Sequence, residues 1–439
     1  MIEMTTSAKR ESAPQLAQHA SQSRSVKLLV VSMLYEPDFV GIAAVASDLC
    51  AGLAKRGHDV TVYTTYPYYP EWERKSNDNP WRIRQEESEG VKIWRHGLFI
   101  PAHPSKLLPR IVHELSFPLS LTRSMFRRQQ FDVVMAFCPL LGSLAFATLR
   151  KMVRGKPLWV NIQDMPAEAG RATGINRSKT FHFLGSTVQR TLFRKAEIWS
   201  TISPEMVSQL ETVKSKRNHL YLCPNWLTRS LANRVAQLPS KVGRHPRRPL
   251  ELLYSGTIGK KQSLVQFCQA LHATDLDFRF RIRGDGSEAS SVRNWVANSG
   301  DARFDIGGLL PEQEFVQAVH DADWFVITEM HRAGASFLPS KLMPCVSAGT
   351  PVLAIADHDG PLGCEMAASK IGVCVEWKDL ENLSVELMKF SAAPGQFTAL
   401  QENCLQHAQA YDRDLAIERV ERILLAHSQP NGKQHNVDI

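Results

Sequence analysis

Short apolar runs that alternate with helix-patterned segments constrain the fold of this chain more than any other feature. Val26 to Ser32 is an apolar run typical of a strand that is buried on both faces of a parallel sheet. Ile42 to Lys55 has apolar residues at helical spacing, Gly57 stands where helices commonly end, and Val60 to Thr64 is the next apolar run. The order strand, helix, strand predicts a βαβ unit.

The same alternation continues through both halves of the chain. Further strands are predicted at Val91 to His96, Asp132 to Phe137, Leu158 to Ile162, Ile198 to Ile202, Leu250 to Tyr254, Phe278 to Arg283, Trp324 to Thr328, Pro351 to Ala356 and Gly372 to Val375. Leu415 to Ala426 is amphipathic and predicts a final helix. The pattern predicts an α/β protein with two Rossmann-like, doubly wound domains that face each other across a cleft, with the ligand at the carboxyl ends of the strands.

Domain bounds follow from length and local composition. A chain of 439 residues suits two domains. The basic, proline-rich stretch 239–249 has the composition of a linker, which gives an N-terminal domain over 25–238 and a C-terminal domain over 250–412. A C-terminal helix is predicted over 413–427. Residues 1–24 and 428–439 are predicted to be disordered tails, and the first of these lacks the apolar centre of a secretion signal.

Charge and cysteine usage narrow the partners and the compartment. The net charge of +8 and the isoelectric point near 9.0 favour an acidic partner, such as nucleic acid, anionic lipid or a nucleotide sugar. The 8 cysteines include no CxxC pair, which argues against a zinc site and a disulfide framework and favours a reducing cytoplasm. No zinc, helix-turn-helix or RNA-binding signature is present, so nucleic acid is not expected as a partner.

Two loops carry a lysine where a strand meets a helix. In Tyr254 to Lys261, Gly256 and Gly259 let the backbone approach a ligand, and Lys260 or Lys261 supplies positive charge. In Pro339-Ser340-Lys341, the proline suits a first helical turn whose amides and Ser340 hydroxyl can face a phosphate. Both loops therefore predict a diphosphate site, with a plain glycine turn and an ordinary helix cap as the alternatives.

Three further segments are candidates for the rest of a site. Asp164 follows a buried strand and can orient or deprotonate an acceptor hydroxyl, or simply cap the next helix. The aromatic loop Tyr66 to Trp72 can stack on sugars or pack on itself. The segment Ser105 to Arg128 mixes apolar and basic residues, including Lys106 and Arg110, and suits either a helix on a sheet or contact with anionic lipid.

Taken together, these segments resemble the GT-B glycosyltransferases of the family-4 type, in particular the colanic-acid and O-antigen branch that makes exopolysaccharide. The resemblance spans roughly residues 26 to 425. The matching segments are Tyr35-Glu36-Pro37 through Gly41, Leu53 to Val60, Pro67 to Trp72, Cys223 to Trp226, Tyr254 to Lys261, Pro339 to Lys341 and Ala348 to Val352.

The resemblance implies a sugar transfer from a UDP- or GDP-linked donor to an oligosaccharide or lipid-linked acceptor. It implies a hexosyltransferase that retains configuration and needs no metal or other cofactor. The N-terminal domain would face the acceptor and the C-terminal domain would bind the nucleotide sugar. Gly41 and Gly256 would approach the donor, and Lys261, Ser340 and Lys341 would bind its diphosphate. We expect a cytoplasmic protein attached peripherally to the inner face of the plasma membrane.

One departure from the family pattern concerns a pair of glutamates that many members carry on the nucleotide side. Ser336 and Pro344 occupy those positions here, and Glu329 and Glu365 lie nearby but out of register. This departure keeps open a catalytically degenerate protein that acts as a binding or scaffold partner in polysaccharide assembly. A nucleotide-sugar epimerase of the same fold is a further alternative.

Overall fold

The structure, a computed structural model, describes residues 24–38, 41–75, 79, 81–104, 106–125, 127, 129–164, 189–331 and 338–428. These residues form two sheets, one in each half of the chain, with helices packed on both. The expected pair of Rossmann-like sheets is therefore confirmed. Both predicted tails lie outside the described residues for most of their length.

The first sheet has eight strands in the order β3-β4-β2-β1-β5-β6-β7-β8. Its strands are β1 (Lys27–Val31), β2 (Asp59–Thr65), β3 (Arg84–Ser88), β4 (Val91–His96), β5 (Val133–Cys138), β6 (Leu158–Ile162), β7 (Ile198–Thr201) and β8 (His219–Leu222). All neighbouring strands are parallel except β3, which pairs antiparallel with β4. The antiparallel pair stands at the sheet edge, where a short hairpin joins β3 to β4.

The second sheet has six strands in the order β11-β10-β9-β12-β13-β14, and every pair is parallel. Its strands are β9 (Leu250–Thr257), β10 (Phe278–Asp285), β11 (Phe304–Gly307), β12 (Trp324–Thr328), β13 (Val352–Ile355) and β14 (Gly372–Val375). Gly284 is needed in β10 because a Cβ there would lie 2.0 Å from the Gly256 carbonyl oxygen. The carboxyl ends of β9 and β10 are thus pressed together beside the predicted diphosphate loop.

Helices connect the strands, and they are numbered here in chain order over the described residues. They are α1 (Ile42–Lys55), α2 (Leu107–Met125), α3 (Leu141–Arg154), α4 (Pro204–Glu211), α5 (Arg229–Val235), α6 (Leu264–His272), α7 (Ala289–Ser299), α8 (Glu312–Asp321), α9 (Leu342–Ser347), α10 (Pro361–Ser369), α11 (Leu383–Ala392), α12 (Pro394–Ala408) and α13 (Arg413–His427). The predicted bounds of α1 and the predicted final helix are confirmed.

Apolar layers on both faces of each sheet explain why the central strands read as apolar runs. Leu29 and Val31 of β1 enter one layer, whereas Leu28 and Val30 enter the layer on the other face. Two comparable layers enclose β9 and β12 in the second sheet. A strand buried on both sides loses the alternation of polar and apolar residues, so its sequence is apolar throughout.

The chain passes between the two halves twice, first after Trp226 and again just before Arg413. Asp48 of α1 contacts both of these segments. Its carboxylate accepts a hydrogen bond from Trp226 Nε1 at 2.7 Å on the first crossing and pairs with Arg413 Nε at 2.8 Å on the second. The Leu227 amide donates to the Tyr411 carbonyl oxygen at 3.2 Å, so the two crossings also touch. After the second crossing, α13 packs on α1 against the first sheet.

The stretch 239–249, which has the composition of a linker, is attached to the helices and strands of the second sheet. Lys241 Nζ is buried and donates to Thr350 Oγ1 at 3.0 Å, and burial lowers the pKa of Lys241 to about 7. Arg247 Nε pairs with Asp323 at 3.4 Å. Before this stretch, α5 already contacts α8 and α9. The chain is thus bound to the second half from α5 onward, and the predicted domain bounds stay predictions.

Candidate active-site cleft

A cavity of about 1270 Å³ lies between the two sheets, at the carboxyl ends of their strands. Among the sequence-predicted site residues, Gly41, Asp164, Gly256, Ser340 and Lys341 all line it. The first two come from the half that carries the first sheet, and the other three from the second. Residues more than two hundred positions apart in the chain thus face the same space.

On the second-sheet wall, Gly256 and Lys341 form one unit. Gly256, the last residue but one of β9, has a positive φ of 123°, and a Cβ there would lie 2.6 Å from the Lys341 Cε. Lys341 Nζ donates to the Tyr254 hydroxyl at 3.0 Å and lies 4.1 Å from the centre of that ring. The two lysine-bearing loops therefore meet, and the missing side chain at Gly256 is the space that Lys341 occupies.

Burial lowers the pKa of Lys341 to about 8, although the nearby Glu329 carboxylate opposes that shift. Lys341 is therefore still largely charged near neutral pH, but with a reduced hydration shell. A partly desolvated ammonium interacts strongly with an anion that enters the same space, because water screens it less.

Pro339 and Ser340 differ from their predicted place in a first helical turn. Residues 339–341 form a turn instead, in which the Leu342 amide donates to the Pro339 carbonyl oxygen at 2.9 Å. Helix α9 begins at Leu342 and is only 6 residues long. Ser340 is exposed to the cavity. Since so short a helix carries little dipole, the positive charge on this wall comes mainly from the Lys341 side chain.

Lys261 does not line the cavity, but it lies beside the same wall. It belongs to a 3₁₀ turn, Lys260–Gln262, and its carbonyl oxygen accepts from the Met330 amide at 2.7 Å. Desolvation raises the pKa of Glu329 to about 7, while the charges of Lys261 and Lys341 work against that rise. Glu329 thus lies near both lysines, one residue beyond β12, and the phosphate role of Lys261 stays a prediction.

On the first-sheet wall, Gly41 and Asp164 follow two parallel strands. Gly41 precedes α1 with φ 61° and ψ −124°, a combination that residues with a Cβ rarely adopt. Nothing lies within 4 Å of a Cβ placed there, so the backbone conformation rather than crowding requires glycine. Asp164 lies two residues beyond β6 and faces the cavity.

A chain of side-chain amides runs beside Asp164 and reaches the first crossing between the halves. Gln163 Nε2 donates to Asn161 Oδ1 at 2.6 Å, and Asn225 Nδ2 donates to Gln163 Oε1 at 2.8 Å. The Gln163 amide also donates to the Cys138 carbonyl oxygen at 3.0 Å. These bonds fix the loop that carries Asp164. Sequence reasoning did not find these hydrogen bonds, although Asn225 lies in the segment Cys223 to Trp226 that resembles the family.

The aromatic loop packs against α2 rather than lying open. The Tyr68 hydroxyl bonds His113 Nε2 at 3.2 Å, and Trp72 packs against the His113 ring with centroids 5.2 Å apart. Of the loop, Tyr69 lines the cavity, and the Arg110 guanidinium of α2 lies 4.4 Å from the Trp72 ring centre and lines the cavity too. Trp72 also packs against the Tyr68 and Tyr69 rings, with centroids 5.6 and 5.9 Å apart, so the loop packs on its own aromatics as well as on α2.

The two positions of the missing glutamate pair lie around the start of α9 in the sequence. Ser336 lies outside the described residues, and Pro344 is buried in α9. Glu365 of α10 lines the cavity and pairs with His407 of α12, with Oε1 and Nε2 2.8 Å apart. Its carboxylate is therefore engaged by a neighbouring helix.

The structure gives no metal centre or membrane span over the part of the chain that it describes. No cluster of three or more His, Cys, Asp or Glu side chains suited to a metal ion occurs there. None of the helices described there combines the length and the apolar character needed to cross a bilayer. All 8 cysteines are unpaired.

Comparison with solved structures gives the class of the fold. A sucrose-phosphate synthase from Thermosynechococcus elongatus matches with a TM-score of 0.66 at 15% identity, over 90% of this chain and 98% of that one. An α,α-trehalose 6-phosphate synthase from Burkholderia multivorans matches at 0.62 and 11%, over 94% and 100%. Anabaena HepE, solved with UDP and glucose, matches at 0.59 and 12%, over 91% and 99%. The two sheets and their cleft are a GT-B fold.

Sequence comparison gives the family. Residues 40–226 match the glycosyl transferase 4-like domain. An Escherichia coli K12 protein named as a colanic acid biosynthesis glycosyl transferase, WcaI, is 26% identical over 389 residues, which cover 86% of this chain and 95% of that protein. Both comparisons support a glycosyltransferase of the family-4 type, as the motifs had indicated.

Proposed function

We propose that this glycosyltransferase moves a hexose from a UDP- or GDP-linked sugar to a lipid-linked or oligosaccharide acceptor in the synthesis of a cell-surface polysaccharide. The observation that carries the proposal is the shared cleft, with Lys341 and Gly256 on one wall and Asp164 on the other. The likeness to a relative named for colanic acid biosynthesis and to a fold neighbour solved with UDP supports the substrate class.

The second-sheet wall would bind the donor. The diphosphate would lie against Lys341 and Ser340, close to the backbone at Gly256, with Lys261 and Lys341 balancing its charge. When the bond between the sugar C1 and the β-phosphate oxygen breaks, negative charge grows on that oxygen. A cation already fixed at this point stabilises the charge without reorganising, which is the most effective form of electrostatic catalysis.

The first-sheet wall would hold the acceptor. An acceptor hydroxyl forms the new bond to C1, and its proton passes to the Asp164 carboxylate or to the departing phosphate. We favour transfer with retention of configuration and without a metal ion, in which the phosphate oxygen and the incoming hydroxyl share one face of the sugar. Water must be excluded from that space, and closure of the two halves about the Asp48 anchor would achieve this.

Calorimetry with UDP and GDP, followed by an assay for slow donor hydrolysis with a panel of UDP- and GDP-sugars, tests the proposal. Binding of one nucleotide together with sugar release from its donor is the expected result. Nucleotide binding without turnover of any donor, even with acceptor extracts, would favour the scaffold alternative. A changed sugar still attached to its nucleotide would identify an epimerase instead.

We further propose that α2 attaches the enzyme to the cytoplasmic surface of an anionic membrane. Its outer face carries an apolar stripe of Leu108, Val112, Leu115 and Leu119, with exposed fractions of 71%, 43%, 57% and 68%. Exposed cations, Lys106 and Arg123, flank the stripe. An exposed apolar stripe flanked by cations suits the boundary between anionic headgroups and acyl chains.

Cosedimentation with vesicles of phosphatidylcholine and phosphatidylglycerol tests this attachment. Replacement of both Leu115 and Leu119 by serine should reduce the bound fraction several-fold, because it removes apolar area that would be buried in the lipid. The control is Leu415→Ser on α13, which removes a comparably exposed leucine (59%) from another surface. Equal binding of both variants would rule out α2 as the attachment surface.

A further inference from the structure

Arg110 is a cation of the first-sheet wall, and the proposed reaction assigns it no role. It lines the cleft, and its guanidinium lies 4.4 Å from the centre of the Trp72 ring. Stacking on an aromatic ring fixes the plane of a guanidinium while leaving its N–H groups free to donate. The stack therefore holds Arg110 in place without using its donors.

Within the part of the chain that the structure describes, no hydrogen bond or ion pair engages this guanidinium. The nearest candidate on its own helix is Glu114, one turn along α2, but its Oε2 accepts from the Gly142 amide at 3.0 Å. The other cations of the cleft lining are engaged, since Arg229 pairs with Glu89 and Lys341 donates to Tyr254. Arg110 is thus a fixed cation with unused donors that faces the cleft.

The position of Arg110 on α2 relates the cleft to the lipid-facing stripe. At 3.6 residues per turn, Leu108, Val112, Leu115 and Leu119 lie on the side of the helix opposite Arg110. A helix is about 10–12 Å across, and an interfacial helix buries its apolar face by about 5–10 Å. With the stripe in the acyl boundary, Arg110 stands at the depth of the phosphate headgroups, inside the mouth of the cleft.

We propose that Arg110 is a specificity-determining residue that binds the phosphate of an amphiphilic acceptor, whose hydrocarbon tail stays in the lipid layer while its sugar reaches the cleft. This inference rests on the proposed function and narrows it from lipid-linked or oligosaccharide acceptors to phosphate-bearing lipid acceptors. A guanidinium is the side chain best suited to this task, because it donates two parallel hydrogen bonds to phosphate oxygens. The cleft then has two anion sites, Lys341 for the donor diphosphate and Arg110 for the acceptor phosphate.

Calorimetric titration with decyl phosphate below its micelle concentration tests the proposal, with decyl maltoside and inorganic phosphate as the tail-only and headgroup-only probes. The wild-type enzyme should bind decyl phosphate more tightly than either of these. Arg110→Gln should weaken that binding by roughly tenfold to a hundredfold, as expected for the loss of charge-assisted hydrogen bonds. Arg110→Lys should restore it in part, because the charge returns without the planar pair of donors.

Arg123→Gln is the matched control, because it removes a guanidinium from an exposed position of the same helix. It should reduce vesicle binding and leave decyl phosphate binding unchanged, whereas Arg110→Gln should do the reverse. If Arg110→Gln instead reduces vesicle binding as Arg123→Gln does, or leaves decyl phosphate binding unchanged, Arg110 is not an acceptor site.

Binding of UDP and GDP to the same variants separates this inference from the proposed function. Arg110→Gln should bind the nucleotide as the wild type does, since the donor wall is intact. A wild-type protein that binds neither nucleotide would overturn the proposed function itself, whatever decyl phosphate does. Equal thermal unfolding of wild type and variants confirms that the fold is retained.

Discussion

The two walls of the cleft both present charged side chains to the cavity, but they position them differently. On the second-sheet wall, Gly256 and Lys341 stand where a strand or a turn meets the next helix, so each is placed by a short local motif. On the first-sheet wall, Asp164 and Arg110 come from a loop after β6 and from the inner face of α2. Gly256 and Lys341 are therefore placed by local sequence, whereas Arg110 on the first-sheet wall is placed by packing.

This difference has a chemical counterpart. A diphosphate is the same in every nucleotide sugar, and a pair of strand ends with a lysine can recognise it. Acceptors vary widely, and the first-sheet wall, which we propose faces them, is built partly from side chains held by other side chains, such as the amides of Asn225, Gln163 and Asn161. If the comparison is right, variants of the first-sheet wall should leave nucleotide binding unchanged, and variants of the second-sheet wall should abolish it.

The largest expected effect is that of Asp164→Asn. If this carboxylate takes the proton of the acceptor hydroxyl, kcat should fall by about 10²- to 10⁴-fold, because general base catalysis is lost. Affinity for the nucleotide should not change, since the donor wall is untouched. Steady-state kinetics together with calorimetry check both statements. Full turnover in the variant would remove Asp164 from the chemistry.

Lys341→Met should have the next largest effect and, unlike Asp164→Asn, should weaken nucleotide binding. Methionine keeps much of the volume above Gly256 but removes the charge, so nucleotide affinity and kcat/KM should fall together, the latter by about 10²- to 10³-fold. Lys260→Met is the matched control, because Lys260 is exposed and lies outside the cavity lining. If the two variants bind UDP and GDP equally, the donor wall has been misplaced.

Gly256→Ala should cost stability as well as binding. The added Cβ would lie 2.6 Å from Lys341 Cε, and φ 123° is unfavourable for alanine. Strain of this type costs about 1–3 kcal/mol, so thermal unfolding should occur at a lower temperature and the displaced lysine should bind nucleotide more weakly. Gly41→Ala is the comparison on the other wall, where strain without crowding should leave nucleotide binding unchanged.

The smallest expected effect is a pH dependence set by Glu329. Desolvation raises the pKa of this carboxyl to about 7, so its negative charge appears beside Lys261 and Lys341 as the pH rises through that value. Affinity for UDP-glucose, whose diphosphate does not titrate there, should therefore be a few-fold higher at pH 6 than at pH 7.5. Glu329→Gln should remove most of this difference and raise affinity at pH 7.5.

The same carboxyl gives a stability test with a definite sign. Between the usual pKa of a glutamate and about 7, the folded state holds a proton that the unfolded state has released. The Glu329 contribution to stability should accordingly fall as the pH rises through this window. Chemical denaturation of wild type and Glu329→Gln between pH 5 and 8 measures it. An identical pH dependence in both proteins would contradict the raised pKa.

Sequence reasoning located the central strands well but missed three of the four edge strands. Strands β4, β6, β12 and β14 have the predicted bounds, whereas β3, β8 and β11 were not predicted. These three stand at sheet edges. An edge strand packs fewer apolar neighbours, so β3, with the sequence RQEES, lacks the apolar run on which the prediction depended.

Some residues of the candidate site could likewise be found from the sequence, whereas Arg110 could not. Gly41, Gly256, Ser340 and Lys341 could be chosen from the sequence because a strand end, a glycine and a nearby helix leave a local signature. Arg110 was visible only as one cation among several in a basic segment. Its selection needed the fold, which turns this guanidinium toward the cleft and places Trp72 beneath it.

By itself, the sequence indicated two α/β halves, a resemblance to a family and the lysine-bearing loops of the second-sheet wall, because burial on both faces of a sheet and tight turns at strand ends restrict residues locally. Only the tertiary structure decided that Lys341 fills the space left by Gly256, that Glu329 lies near both lysines, and that α2 turns its leucines outward and Arg110 inward. Those contacts join residues far apart in the chain, and no local pattern of residues encodes them.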